Sequence, residues 1–309
     1  MTYAGRRGHT LLDRRLYLPV SWTDDPDRMR AAGVPDQVGF TKRWEPAADM
    51  ITAAVEAGVA GPVVAADEAY GNSSIFRSRL RDLGLGYVLA VSCDHLVPLD
   101  GGKTRCRADV IAADLPATAW HRRSAGAGAG SKGPRLYDWA WLDQVTTTED
   151  PAGGAHSMLI RRNNTTGELA FYRCWSPQPV SLAALLRAAG IRWSVEESFQ
   201  AAKGQVGLDQ HQVRRWHSWH RHATLAMAAL AVLTICVADS RKQNESDDPG
   251  RQSMIELTVN EIRRLINALI IRPVRSLVHR LHWSGWRRQH QLRAKRAHYA
   301  RRITFELQP

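Results

Sequence analysis

Apolar and polar positions alternate along this chain with two different periods, and the period changes with position. The first stretch with a helical period is 45–59 (EPAADMITAAVEAGV), where apolar residues recur every three to four positions until Gly58. It is followed by a short apolar run ending in an acid, GPVVAAD (61–67), and then by SSIFRSRLRDLG (73–84), which carries a Ser cap and a Gly stop. GYVLAVS (86–92) is a second apolar run. This strand–helix–strand order at short spacing predicts a βαβ unit with parallel strands. Upstream, HTLLDRRLYLP (9–19) reads as a strand or hairpin arm closed by Pro19. SWTDDPDRMRAAG reads as a helix with Asp24 or Asp25 as N-cap and Pro26 in its first turn.

The pattern changes near residue 95. Residues 104–112 alternate, 124–134 (SAGAGAGSKGP) form a Gly/Ala-rich loop, and MLIRR-NNTTG-ELAFYRCW (158–175) is a hairpin signal. This middle region reads as antiparallel and β-rich. Helical periodicity returns at 181–190 and runs to about 238. A polar linker, 240–253, precedes a basic helical end. The organisation expected is therefore 1–94 as the first part of an α/β core, 95–180 as a β-rich insertion, 181–239 as the second part of the core, and 240–309 as linker and basic C-terminal region. The longest apolar run, 223–238, contains two threonines and is short for a bilayer span, so no membrane partner is expected.

Charge sharpens this picture. The 309 residues carry 42 Lys and Arg against 30 Asp and Glu, a net charge of +12. Residues 261–309 hold 12 of the cations and only 2 of the acids, a local net of +10, so the rest of the chain is close to neutral. Cations there, including Arg287, Arg288, Arg293, Lys295 and Arg296, interleave with Trp283, Trp286 and Tyr299. Cations neutralise phosphates and aromatic rings stack on bases, so this segment is a candidate nucleic-acid contact. The alternative is a solvated helix with no partner. A second basic aromatic segment, 208–222, contains Arg214, Arg215, Trp216, Trp219 and Arg221, together with four histidines whose spacing does not form a zinc motif. The four cysteines form no Cys-x-x-Cys pair, which argues against a zinc ribbon or a disulfide scaffold.

Two acids stand out. Asp67 ends an apolar strand, where crevices form in open α/β sheets; it is either a ligand for a hard cation or a cap for the next turn. In IRWSVEESFQAAK (191–203), Arg192, Glu196 and Lys203 fall within an arc of about 40° at 100° per residue. The apolar stripe Val195, Phe199, Ala202 and Val206 lies beside them. An acid between two cations fits a metal–phosphate site; the alternative is an ordinary and common i,i+4 ion pair between Arg192 and Glu196.

Taken together, these pieces resemble bacterial insertion-sequence transposases of the DDE, ribonuclease-H-like superfamily, in the branch with a Tyr-(2)-Arg-(3)-Glu-(6)-Lys signature. Arg192, Glu196 and Lys203 reproduce the spacing, although Ala189 stands at the signature's Tyr position. VVAADEAYGN resembles the segment with the family's second Asp, and HTLLDRRLYLPVSWTDD, SAGAGAGSKGPRLYDWAW and the basic Trp-rich end also resemble this branch. The resemblance implies a ribonuclease-H-like α/β core interrupted by the β-rich insertion, with Asp67 and Glu196 as catalytic metal ligands and Arg192 and Lys203 as phosphate contacts. It further implies two Mg²⁺ (or Mn²⁺) ions, double-stranded DNA as partner, a homo-oligomer, and a cytoplasmic, nucleoid-associated location. Such a site performs phosphodiester hydrolysis and strand transfer at insertion-sequence ends, with two ions about 4 Å apart. The family's first Asp has no counterpart upstream of Asp67, because Asp13 lies in a charged strand motif and Asp24 and Asp25 in a loop. A chain missing its N-terminal part, the first core strand and one ligand is therefore expected, with little or no transposase activity. The other expectation from this pattern is a catalytically dead DNA-binding remnant that binds DNA or a full-length relative.

Overall fold

The computed structural model describes residues 1–59, 61–127, 134–143, 153–246, 257–271 and 277–306. Its contacts divide the chain into two units, Met1–Val259 and Asn260–Pro309.

The first unit opens with a hairpin, β1 (Thr2–Gly5) and β2 (Gly8–Leu11), paired antiparallel with Thr2 opposite Leu11. The strand expected across 9–19 thus stops at Leu11. The charged run that follows has no apolar alternation to keep it in a sheet, and the Met1 ammonium donates instead to the Asp13 carbonyl at 2.7 Å. Two short helices follow, α1 (Val20–Thr23) and α2 (Pro26–Ala32). Asp25 caps α2 by accepting from the Arg28 N–H, with Pro26 in the first turn.

The expected βαβ unit is present. The helix α3 (Trp44–Glu56) precedes β3 (Val63–Ala66), then come α4 (Glu68–Gly71), α5 (Ser74–Asp82) and β4 (Gly86–Val91). Strands β3 and β4 are parallel, with Val63 opposite Gly86. Ser73 caps α5 through the Phe76 N–H.

Next come the small hairpin β5 (Leu96–Leu99) and β6 (Thr104–Arg107), and the helix α6 (Ala108–Asp114). The alternation at 104–112 therefore covers a strand and then a helix. Ala108, Ile111 and Ala112 are the buried helical positions, whereas Val110, which alternation would turn inward, is 45% exposed.

Four long strands follow: β7 (His121–Ala127), β8 (Pro134–Asp143), β9 (Ala155–Arg162) and β10 (Leu169–Ser176). All four are antiparallel to their neighbours, and β10 pairs with β4. The result is one six-stranded mixed sheet in the order β3-β4-β10-β9-β8-β7. The central part of the Gly/Ala-rich loop, 128–133, lies outside the described residues, as does 247–253 of the expected linker.

The two faces of this sheet follow the alternation of β4 and β10. Tyr87 and Leu89 with Trp175 face α3 and α5, where Ala48, Ile51, Phe76 and Leu80 are buried against them. Val88 with Tyr172 and Cys174 face the other way, against Leu185, Leu186 and Ala188 of the helix α7 (Leu182–Ile191). Tyr87 and Trp175 are direct cross-strand partners whose rings stack at 6.1 Å. Pairs of this kind on a half-buried face stabilise a sheet by roughly 0.2–1 kcal/mol.

The helical stretch after 181 is broken twice. Arg192 separates α7 from α8 (Trp193–Val206), and Gly207, at φ 70°, ends α8 in a left-handed turn. The helix α9 then runs from Trp216 to Ser246. Its inward face, Ala223, Ala226, Leu230, Leu233 and Val237, is buried, and Leu230 meets Leu11 and Ala202. The apolar run noted above is thus part of a longer helix. By length and composition alone, Trp216–Lys242 could cross a membrane; 33% of its most apolar window is buried in the fold.

In the second unit, a π-helical turn (Ile266–Ile270) leaves Leu269 and Ile270 exposed. It is preceded by α10 (Val259–Leu265), which begins at the unit boundary, and the unit ends with the 30-residue helix α11 (Leu277–Glu306).

Candidate functional site

Asp67 lies where strand β3 ends, as its sequence context requires. Its carboxylate accepts a hydrogen bond from the Ala69 N–H at 3.1 Å, which makes it the N-cap of α4. It is exposed to solvent. Its charge also reaches Tyr70, whose phenol is held above its ordinary pKa mainly by burial and then by Asp67. The turn is tied down from behind: the Asn72 side-chain oxygen accepts from the Ser92 N–H at 3.1 Å, and Arg77 donates to the Gly71 carbonyl. Asp67 therefore stands on a firmly held corner, oriented by its own backbone.

Glu196 lies in the first turn of α8. Arg192 Nη1 donates to Glu196 Oε1 at 3.0 Å, the i,i+4 pair that the spacing allows, and both groups are partly exposed. Lys203 is exposed in the last turn of the same helix. The structure thus brings Arg192 and Glu196 together. Glu196 lies on a helix that packs on β1, β2, α7 and α9, whereas the corner holding Asp67 packs on β4 and α5.

The buried line of α8 differs from the expected stripe. Ser198 and Ala202 are buried, while Phe199 is 42% exposed. Small side chains let α8 come close to β2 and α9, and that approach turns Phe199 outward. One consequence is a group that the sequence does not mark. His9 on β2 shares a hydrogen bond between Nδ1 and Ser198 Oγ at 2.8 Å, and its Nε2 lies 3.2 Å from Glu197 Oε2. The acid that faces the amino-terminal hairpin is therefore Glu197, one residue past the candidate. His9 and Ser198 are 189 residues apart, and no local pattern links them.

A two-ion centre needs several carboxylates converging on one point. Among the described residues, no three His, Cys, Asp or Glu side chains form a group that could hold a metal. The Asp67 carboxylate is turned to its own helix and the Glu196 carboxylate to Arg192. The described donor set does not fit a two-ion centre.

The basic segments are better displayed. Arg214 and Arg215, just before α9, and Arg221, in its second turn, are exposed. Trp216 and Trp219 are half-buried and pack on His220 at 4.3 and 4.8 Å. Two of the other histidines there serve the fold: His211 Nε2 bonds Ser218 Oγ at 3.1 Å, and His222 Nε2 bonds the Gly207 carbonyl at 3.1 Å. On α11, Arg287, Arg288, Arg293, Lys295 and Arg296 are all exposed. One stripe of that helix carries an aromatic ladder. Trp283 and Trp286 meet edge to face at 4.9 Å, and Trp286 stacks on His290 at 5.2 Å with the rings 7° from parallel. Cations and stacked rings on an open helix are what a phosphate backbone and exposed bases contact.

Residues 1–102, from β1 to the turn after β5, match the family model described as DDE superfamily endonuclease. The match includes Asp67 and excludes Glu196 and both basic segments. It supports a DDE transposase-like family; proteins of that superfamily generally depend on a divalent metal. No curated protein matches the chain.

Proposed function

We propose that this protein is a DDE-type transposase by descent that binds double-stranded DNA, and that in this form it does not cleave or transfer strands at insertion-sequence ends. The match across residues 1–102 carries the family part of this reading. In this reading Asp67 and Glu196 correspond to two of the family's catalytic carboxylates, and Arg192 and Lys203 are the cations that would face phosphate. The loss of activity rests on the described carboxylates, which do not gather into a metal-binding group. DNA binding rests on the exposed cations of α11, supported by Trp283 and Trp286, with Arg214, Arg215, Trp216, Trp219 and Arg221 as a second patch.

The test pairs two assays on the full chain. A labelled duplex is titrated by fluorescence anisotropy, with and without Mg²⁺, and a supercoiled plasmid is incubated with Mg²⁺ or Mn²⁺ and scored for nicks. Binding that is independent of the metal and survives Asp67→Asn, with the plasmid left intact, supports the proposal. Metal-dependent nicking that Asp67→Asn and Glu196→Gln each abolish overturns the inactive reading. Failure to bind the duplex at low salt overturns the DNA-binding reading.

A further inference from the structure

The face of α9 opposite its buried line is apolar and open to solvent. Leu225, Val232 and Ile235 are 65, 55 and 58% exposed, and Ala228 between them is exposed as well. These four residues are spaced three, four and three apart, and at 100° per residue they fall on one stripe. Arg221 precedes the stripe by one turn and Asp239 follows it by one turn, both exposed.

The order of these six residues is symmetric about position 230. Arg221 mirrors Asp239, Leu225 mirrors Ile235, and Ala228 mirrors Val232. A two-fold axis through that point turns the stripe into its own complement: each arginine meets the aspartate of the other copy, and each alanine makes room for the other copy's valine. Closed two-fold contacts of this isologous kind are the commonest way in which identical chains associate.

We propose that α9 pairs with α9 of a second copy of this chain, antiparallel about position 230, with the seam Leu225–Ala228–Val232–Ile235 closed at each end by an Arg221–Asp239 ion pair between copies. Charge complementarity selects this occupant. An apolar ligand or a lipid surface would give no role to opposite charges placed one turn beyond each end. From Arg221 to Asp239 the contact is about 27 Å long at 1.5 Å per residue, of which the apolar seam takes about 15 Å. A single helix pair of that length falls below the roughly 800 Å² per partner of a standard interface, so the dimer dissociates on dilution. This pairing is independent of catalysis and of the cations of α11; Arg221 borders both the seam and the second basic patch.

Sedimentation of the full chain, without DNA and over a wide range of concentration, tests it. The expected result is a reversible monomer–dimer equilibrium. Val232→Lys puts two ammonium groups near the axis and removes the dimer. Arg221→Asp sets two aspartates against each other at both ends and weakens it by about fivefold or more, while Arg221→Asp with Asp239→Arg restores the contact in reverse. All of these positions are exposed, so an unchanged far-ultraviolet spectrum and melting temperature identify each variant as folded. A chain that stays monomeric at every concentration overturns the proposal. So does a dimer that Val232→Lys leaves intact, or charge reversals whose double swap fails to restore association. Duplex binding measured on Val232→Lys, a position outside both basic patches, keeps this question separate from the DNA-binding reading: a variant that has lost the dimer and still binds the duplex shows that the two are independent.

Discussion

The α-carbon of Gly71 rests against the carbonyl of Ala90, so closely that a methyl group in its place would lie 1.9 Å from that oxygen. Side chains do not tolerate such a distance. This contact presses the one-turn helix α4 onto β4, and α4 in turn holds Asp67 at its N-cap. Gly71→Ala should therefore force the corner off the strand and destabilise the fold by about 2–3 kcal/mol. Gly61→Ala, where the added methyl meets nothing within 4 Å, is the control and should be close to neutral. Urea denaturation of both variants checks the difference, and equal midpoints would contradict the packing described.

His9 and Ser198 predict a second loss. Ser198 is 1% exposed, and its hydroxyl is the partner of His9 Nδ1. Ser198→Ala leaves that nitrogen without its partner at the junction of β2 and α8, a cost of about 1–2 kcal/mol. Glu196→Gln, at the exposed pair with Arg192, should cost well under 1 kcal/mol. Thermal melts that reversed this ranking would mean that Glu196, not Ser198, holds the helix in place.

Stability should also respond to pH through His95. Burial, with Arg77 and Arg173 nearby, pushes this imidazole down from 6.5 to about 4, against a weaker opposing pull from Asp94. Between those two values the unfolded chain takes up a proton that the folded chain refuses. The contribution is thus complete above about pH 6.5 and is lost as pH falls towards 4, on the order of 1 kcal/mol once partial exposure is allowed for. His220, also held low by burial and by Arg14 and Arg15, acts in the same direction. The difference between the parent and His95→Gln in urea midpoints at pH 7 and pH 4.5 isolates His95. An identical slope in the two proteins would remove it from the account.

Salt dependence measures the role of α11. Each cation that neutralises a phosphate contributes about 0.9 to the slope of log affinity against log salt. Arg287→Ala with Arg288→Ala should flatten that slope by about 2 and weaken binding on every duplex alike, as anisotropy at several salt concentrations would reveal. A slope that does not change would move the contact elsewhere.

Much of the local structure is written in short-range chemistry. Asp25, Ser73 and Ser181 cap their helices through N–H groups three residues ahead, and Gly33 and Gly207 turn left-handed just past helix ends. Each of these signals lies within one turn of the feature it controls, so the strand–helix–strand unit around Asp67 and the hairpin of β9 and β10 can be read directly. The order of the sheet cannot, because β4 and β10 are joined by pairs such as Phe171 with Val91, which no local pattern encodes. The same limit applies to the site. Periodicity groups Arg192, Glu196 and Lys203 on one arc, but the rotation of that arc is set by where His9 and Leu11 meet α8. That contact directs Glu197 rather than Glu196 at the hairpin. Asp67 had two readings of equal standing, and the Ala69 N–H satisfies the capping one.

The pairing of β4 with β10 also sets a schedule for synthesis. Strand β4 is complete at Val91, but its antiparallel neighbour begins only at Leu169. At about 5–20 residues per second, a ribosome delivers that neighbour roughly 4–16 s later. During this interval β3 and β4 form a parallel pair with one side of β4 open, and Tyr87, Val88 and Leu89 lack the strand that later covers their flank. The nascent chain therefore passes through a window in which a chaperone, or the same strand of an adjacent nascent chain, can compete for that edge.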